Sequence, residues 1–495
     1  MLASKKNHEC EWRERATELE TKLAERDEQF AALMKRVNQI EHTLSVTKRL
    51  TLGPKSERMP TPDDEAKALS KEPKKRGGHT NPELREKTAK AKAELPATIV
   101  SHPIPEVDRR CSTCGEDVRP IGSGDRSVEY EWVPGRIEKI VHVVETGRCP
   151  CKAHYARGPA PARVQEGSTL GPKLLAKLAT EKFGDATPIH RIAKSFKRQG
   201  IPIARSTLND GVLLAADVCL PLWKAMLAEI RADEHVQADE TSFRTQTKKE
   251  RSFVWTFLSK VHTAYTFADR TSETPNTVLG GSSGMMTIDA FSSYNEVTSP
   301  GGRERTGCFS HARRYLFDAL PSAPEARDGL DIILELFMME RAVKDKGVEG
   351  TLEHLEVRKT IGAAIIHRLE TWWKEQLPRF EPRTPMAIAL TYIKNQWSRL
   401  IVFLRDANVP IHNNASESAL RIIALARKNS LFFRDVGTGA RLMVLYSLIA
   451  TCERHGVNPE TYLADVLIRI QDYPTSRIAE LLPHRWKLSF APSST

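Results

Sequence analysis

Three acidic residues stand where a carboxylate has chemistry to offer. In HVQADET, residues 235–241, Val236 and Ala238 alternate with polar neighbours and the run ends in Asp239 and Glu240. In MMTIDAFSSYN, residues 285–295, an apolar run ends in Asp289. In IHNNASESALRIIALARKNSLFF, residues 411–433, Asn414 or Ser416 is placed to cap a helix that carries Glu417 in its first turn. Any one such acid is usually a solvated turn. Three on separate apolar elements suit a two-metal phosphoryl-transfer site, because Mg²⁺ and Mn²⁺ are hard cations that take oxygen ligands. Two ions so held activate an attacking oxygen and stabilise a leaving one. Arg313 and Arg314 follow the second acid, and Arg421 and Lys428 lie at helical spacing behind Glu417, where they would hold phosphates. Glu240 points to the other face of a strand and is given no catalytic role.

The elements that must position these acids read as strands and a short helix. HVQADET is followed by SFVWTFLS (252–259), TAYTFAD (263–269), a short helix and turn in TSETPNTVLGGSSG, the strand MMTIDAFSSYN, and RTGCFSHARRYLFDAL (305–320), a strand running into a helix. This order resembles a ribonuclease-H-like core, whose first and fourth strands lie side by side. Asp239 and Asp289 would then be neighbours. Residues 321–410 are long amphipathic helices, read as a helical insertion that divides the core into 233–320 and 411–470. Cys308 and His311 are read as helix-packing residues, with metal binding as the alternative.

Upstream modules point to nucleic acid. Cys111-Ser-Thr-Cys114 and Cys149-Pro-Cys151 flank two β-rich runs around Pro134-Gly135, so residues 96–160 are expected to form a zinc ribbon-like module with one structural Zn²⁺. His154 is an alternative ligand. Residues 168–232 read as a helical helix-turn-helix domain: IHRIAKSFKRQ, a GIPIA turn, then a second helix opened by Ser206 or Thr207, with Arg205, Ser206, Thr207 and Asn209 set to touch DNA. Residues 12–50 carry heptads, with Ala16, Leu23, Phe30, Val37 and Leu44 in one seam position and Leu19, Leu33 and Ile40 in the other, which predicts a coiled coil and self-association. A basic linker, 51–95, follows. Its Lys74, Lys75 and Arg76 lie before two glycines, as in arms that enter a minor groove, although charge runs in linkers are commonly just solvated. Residues 471–495 read as a C-terminal tail.

Composition agrees with a polyanionic partner: 74 Lys and Arg oppose 63 Asp and Glu, for a net charge of +11. The first residues lack the apolar core of a secretory signal, and the longest apolar run, 442–452, falls short of the roughly 18 residues a membrane span needs. The chain is expected in the cytoplasm, associated with the nucleoid when bound to DNA, with its eight cysteines as thiols or metal ligands.

Several stretches together carry a family resemblance: TLGPKSERM, the cysteine module, PIHRIAKSFKRQGIPIARSTLNDGV, VQADETSFRTQ, TIDAFSSYN, CFSHARRYL, NNASESALRIIALARKNSLFF and YSLIATCERHGVNPETYLADVL. The chain resembles the transposase of bacterial insertion-sequence sixty-six elements. The resemblance implies a DDE transposase on a ribonuclease-H-like fold, with Asp239, Asp289 and Glu417 as catalytic acids around two Mg²⁺ or Mn²⁺ ions. It implies cleavage of double-stranded element ends, joining of the 3′-hydroxyls to target DNA, and small accessory proteins of the same element as partners. Ala290-Phe291 stands where the family has Gly-Tyr, and the second cysteine pair is C-x-C. Two other readings remain open: a DNA-binding regulator without activity, and a nuclease that cuts without joining. The fold class expected is multidomain α+β.

Overall fold

The computed structural model describes residues 89–491, apart from 91, 134, 248–251, 290 and 299, together with 15, 18 and 22. Most of the heptad segment, and the linker through residue 88 with Lys74, Lys75 and Arg76, lie outside the described residues. Residues 1–80 and 81–495 are separate units, and the strands and helices described belong to the second.

The first strands are β1 (Ala97–His102), β2 (Arg119–Pro120), β3 (Asp125–Val133), β4 (Arg136–Val144), β5 (Thr146–Arg148) and β6 (Tyr155–Arg157), in two sheets ordered β1-β4-β3 and β2-β5-β6. β3 and β4 form one antiparallel hairpin in unbroken register from Asp125↔Val144 to Val133↔Arg136. Gly135 makes its turn at a φ of +91°, where a side chain would be strained. Four helices come next: α1 (Pro172–Phe183), α2 (Ile189–Arg198), α3 (Arg205–Val218) and α4 (Leu220–Ala232). Buried Glu131 of β3 accepts the backbone N–H of Leu174 at 2.9 Å, so a carboxylate meets the positive end of α1 and joins hairpin to helix. The helix after the GIPIA turn begins at Arg205 behind Ala204, one residue earlier than Ser206 and two earlier than Thr207. Buried Ile201 and Ile203 anchor the turn, and the chain turns helical as soon as they are placed.

The central sheet holds β7 (His235–Thr245), β8 (Ser252–Leu258), β9 (Thr263–Ala268), β10 (Met285–Thr287) and β11 (Glu304–Thr306), with α5 (Glu273–Leu279) before β10. Its order is β11-β10-β7-β8-β9. β7, β8 and β9 are antiparallel neighbours; β10 runs parallel to β7, and β11 parallel to β10. Parallel pairing needs a crossover, and residues 269–284 supply it with α5. Gly284, at a φ of +105°, lets the chain pass the Glu234 carbonyl; a Cβ there would lie 2.5 Å from that oxygen.

α6 (Phe309–Ala319) leads into α7 (Ala326–Asp345), α8 (Leu352–Val357), α9 (Ala363–Gln376) and α10 (Pro385–Leu400). These build a second apolar core with Leu316, Leu336, Trp372, Trp373, Leu390 and Phe403. Arg358, in a π-helical turn between α8 and α9, is buried against Glu340 (2.6 Å) and donates to the carbonyls of Phe403, Asp406 and Val409. The cost of burying that charge is offset by pairing and hydrogen bonding, and the loop returning to the sheet is thereby pinned.

The chain re-enters the sheet core through α11 (Asn414–Ala419), α12 (Arg421–Ser430), β12 (Phe432–Phe433) and α13 (Val436–Arg454), then ends in α14 (Pro459–Arg469) and α15 (Pro483–Ser489). β12 pairs parallel with the end of β7, and Phe433 stacks on Phe243 with ring centroids 4.2 Å apart. α13 is apolar on nearly every side and accordingly buried. Its Ser447 and Thr451 hydroxyls accept the backbone N–H groups of Tyr265 (2.8 Å) and Thr263 (3.1 Å), closing the open edge of β9. Residues 475–489 are helical, and Leu481, Leu482 and Trp486 are buried in the main core, so this stretch packs rather than trails. Among the described residues no single helix is long and apolar enough to cross a membrane.

Candidate active site

β10 runs parallel to β7 with Thr287 opposite Gln237, and Asp289 and Asp239 each follow that pair by two residues. The charge of Asp289 acts on the Asp239 carboxyl, so the two are neighbours, although Asp239, Asp289 and Glu417 do not bring one ligand atom each within 4.8 Å of one another. Asp239 Oδ1 accepts the N–H of Glu240 at 2.8 Å, and Asp289 Oδ1 that of Phe291 at 2.9 Å. Arg305, nearly buried, donates to the backbone carbonyl of Asp289 and to Asn295 Oδ1 (3.0 Å), which holds the turn carrying the second acid.

Glu417 is held over the sheet from both ends of α11. At the start, the fully buried Asn413 donates its amide to the Ala238 carbonyl at 2.8 Å, one residue before Asp239. Its backbone N–H meets the Cys308 sulfur at 3.2 Å. At the other end the Tyr265 hydroxyl donates to the Ala419 carbonyl at 2.7 Å. The residue at the helix start is thus Asn413, not Asn414 or Ser416; buried Ser416 turns its hydroxyl back to the Asn413 carbonyl. Asn413 does not cap in the usual sense: its Nδ2 is turned to the strand, and its Oδ1 accepts no N–H of the helix.

Electrostatics mark the same place. Burial pushes the Asp239 carboxyl up to about 7, and the charges of Glu240, Asp289 and Glu417 add to the shift. A carboxylate so destabilised gains most from a cation. Glu240 is buried away from solvent, paired with Arg270 at 2.7 Å, and accepts the Tyr294 hydroxyl at 2.9 Å. Burial raises its pKa all the same, against the pull of those two partners.

His311, assigned from sequence to helix packing, lies at the site. Its Nε2 is 3.9 Å from Glu417 Oε1, and burial, with Arg314 nearby, lowers its pKa and keeps it neutral. Cys308 stays buried on Asn413, as helix packing requires. The signal in the sequence is the C-x2-H pair after the second acid, at the start of α6, whose spacing alone gives no direction. Arg313 and Arg314 on α6, and Arg421 and Lys428 on α12, are exposed or half-buried. Arg427 turns inward instead, donating to the Ser242 carbonyl at 2.6 Å and so tying α12 to β7. Arg205, Ser206 and Asn209 are exposed in the first turns of α3, and Thr207 is half-buried.

The four cysteines form a separate cluster. Sγ of Cys111, Cys114, Cys149 and Cys151 all lie within 4.8 Å of one another. The small β2-β5-β6 sheet, rather than the long hairpin, holds them: Cys149 and Cys151 lie in the β5–β6 loop, and Cys111 and Cys114 in a turn closed by Gly115 N–H to the Cys111 carbonyl at 2.8 Å. Backbone N–H groups of Cys114 and Thr113 lower the Cys111 thiol to about 6, which favours the thiolate a metal takes, while the crowding of sulfurs around Cys149, Cys114 first, raises that thiol. His154 presents its backbone carbonyl to Cys149 and is outside the cluster.

Comparison with known proteins bears on the acidic site. The family model described as "Transposase IS66 family" matches residues 167–441, and that of the "IS66 C-terminal element" matches residues 447–484. Three uncharacterized proteins of Sinorhizobium fredii are similar along most of their length. One, y4hP, is 28% identical over 412 residues, covering 77% of this chain and 74% of its own. Another, y4jD, is 27% identical over 405 residues, covering 77% and 78%. The third, y4qI, is 28% identical over 407 residues, covering 77% and 74%.

Proposed function

The chain belongs to the IS66 family of transposases, and from that premise we propose that it cleaves the ends of its element and joins the freed 3′-hydroxyls to target DNA. Asp239, Asp289 and Glu417 would hold two Mg²⁺ or Mn²⁺ ions. Bound there, the ions supply activation of an attacking oxygen and charge stabilisation for a leaving one. The observation that carries the reading is that the charges of Asp289 and Glu417 both act on the buried Asp239 carboxyl, just past the parallel pairing of β7 and β10, which supports one shared acidic site. The strand order β9-β8-β7-β10-β11 supports a ribonuclease-H-like core.

The chain's own residues have distinct tasks. Asn413 and Tyr265 hold Glu417 at its working height, and Arg305 holds Asp289. Neutral His311 beside Glu417 is placed to accept or return a proton at Nε2. Arg313, Arg314, Arg421 and Lys428 bind backbone phosphates, while Arg205, Ser206, Thr207 and Asn209 address the element end. Cys111, Cys114, Cys149 and Cys151 hold one zinc that stabilises their module; four thiols at one point fit that ion. The heptad segment joins two copies, as paired ends require.

The test is a Mg²⁺-dependent assay on element-end DNA with a target duplex. Glu417→Gln, Asp239→Asn and Asp289→Asn are expected to lose nicking and joining while still binding end DNA, and Glu453→Gln to keep both reactions. Nicking without joined product in the wild type would reduce the reading to a nuclease. End-DNA binding with no cleavage at all would reduce it to a regulator.

A further inference from the structure

A third constellation of metal-ligand type lies away from both the acids and the thiols. Glu229 on α4, His262 in the β8–β9 turn and His484 at the start of α15 each bring a ligand atom within 4.8 Å of the others. His262 is almost wholly buried, with its Nε2 2.7 Å from Glu229 Oε2. The His262 and His484 rings meet edge to face, centroids 5.1 Å apart. Nδ1 of each ring is buried without a hydrogen-bond partner. Two orphaned imidazole nitrogens in one place are costly unless something binds there.

We propose that Glu229, His262 and His484 form a transition-metal site, with Zn²⁺ as the ion their chemistry selects, which clamps the C-terminal helix onto the core. Two imidazoles and one carboxylate suit zinc and disfavour magnesium, which takes oxygen alone. One neighbouring feature fits. Arg485 binds Glu229 Oε1 at 2.8 Å and leaves Oε2 for the ion, the kind of outer partner that orients a metal-binding carboxylate. His455 is not a ligand: its Nε2 is engaged with the Val261 carbonyl at 2.8 Å.

The site joins three distant parts of the chain. α4 precedes the sheet, the β8–β9 turn lies within it, and α15 comes last. An ion there binds the folded state alone and so stabilises it by mass action. This purpose is structural and independent of the transposition chemistry.

Cobalt titration of the full-length protein tests it. Co²⁺ on thiolates absorbs strongly through sulfur-to-metal charge transfer, whereas Co²⁺ on imidazole and carboxylate shows only weaker d–d bands. The wild type is expected to show d–d bands beyond those that accompany charge transfer, and a rise in Tm on adding Zn²⁺. His484→Gln, at a half-buried position, is expected to lose the extra bands and the Tm rise while any thiolate signal persists. Glu229→Gln should weaken both effects. Extra bands absent from the wild type, or fully retained in both variants, would overturn the proposal. The thiol signal is read separately, so failure of that site does not mimic failure of this one.

Discussion

Asp239→Asn should make the metal-free protein more stable while ending its chemistry. The Asp239 carboxyl is raised from 3.8 to about 7, chiefly by burial. Between those values the folded state keeps a proton that the unfolded chain has released. Stability therefore falls as pH rises through this window: the contribution is fully present below the unfolded pKa and gone above the folded one. Three pKa units at 1.36 kcal/mol each set the loss at about 4 kcal/mol by pH 8, and partial solvent access reduces it to about 2–4. Asparagine has no proton to lose and escapes the penalty. Urea unfolding of wild type and variant in Mg²⁺-free buffer measures the difference. The gap should be about 2–4 kcal/mol at pH 8 and under about 2 at pH 5. Mg²⁺ should raise the wild type toward the variant, since the ion binds only the folded site. Equal stability at pH 8, or a gap that widens on acidification, would refute the idea that this carboxylate is held at a cost the metal relieves.

Other consequences are measurable in the same protein. Asn413→Ala strands the buried Ala238 carbonyl and should cost about 1–3 kcal/mol in urea unfolding, with a fall in cleavage as Glu417 loses its tether. Arg421→Ala with Lys428→Ala should weaken end-DNA binding without changing sequence preference, and lower the slope of log affinity against log salt by about 0.9 for each lost phosphate contact. Deleting residues 1–50 should shift sedimentation to a smaller species, and Leu33→Glu should do the same by placing a charge in the seam; an unchanged oligomer would move the contact elsewhere.

Parts of this architecture are legible in the chain because their periodicity is local. The alternation in HVQADET and SFVWTFL follows from one strand facing two environments, and an acid after a short apolar run marks a strand end without any tertiary information. Arg427 shows where that logic stops. It sits beside Lys428 in one basic pair, yet it turns to the Ser242 carbonyl, while among the described residues no such tie holds its neighbour. The direction depends on how α12 lies against β7, which helical spacing leaves open. β12 is two residues long, too short for any pattern, and exists because Phe433 stacks on Phe243. Asn413 is invisible for a related reason. An asparagine before a helix reads as a cap, and only the nearby strand carbonyl diverts its side chain. The packed segment 475–489 lacks a long apolar run, since its few anchors, Leu481, Leu482 and Trp486, fall in short helical turns.

The pairing of β12 with β7 has a consequence for the order in which the protein is made. Phe432 and Phe433 are laid against Arg244 and Thr245, but roughly 190 residues of synthesis separate them, about 10–40 s at typical ribosomal speeds. During that interval the first strand has emerged with its far edge unpaired, and Asp239 and Asp289 exist without the glutamate that follows the helical insertion. On the proposed function, a growing chain would touch DNA through its earlier basic and helical parts before it is chemically complete. Reactivity would be the later acquisition, delayed until the insertion has folded and returned α11 to the sheet. Lengthening the insertion would extend this silent interval, and slow codons between residues 320 and 410 would do so without altering a single side chain.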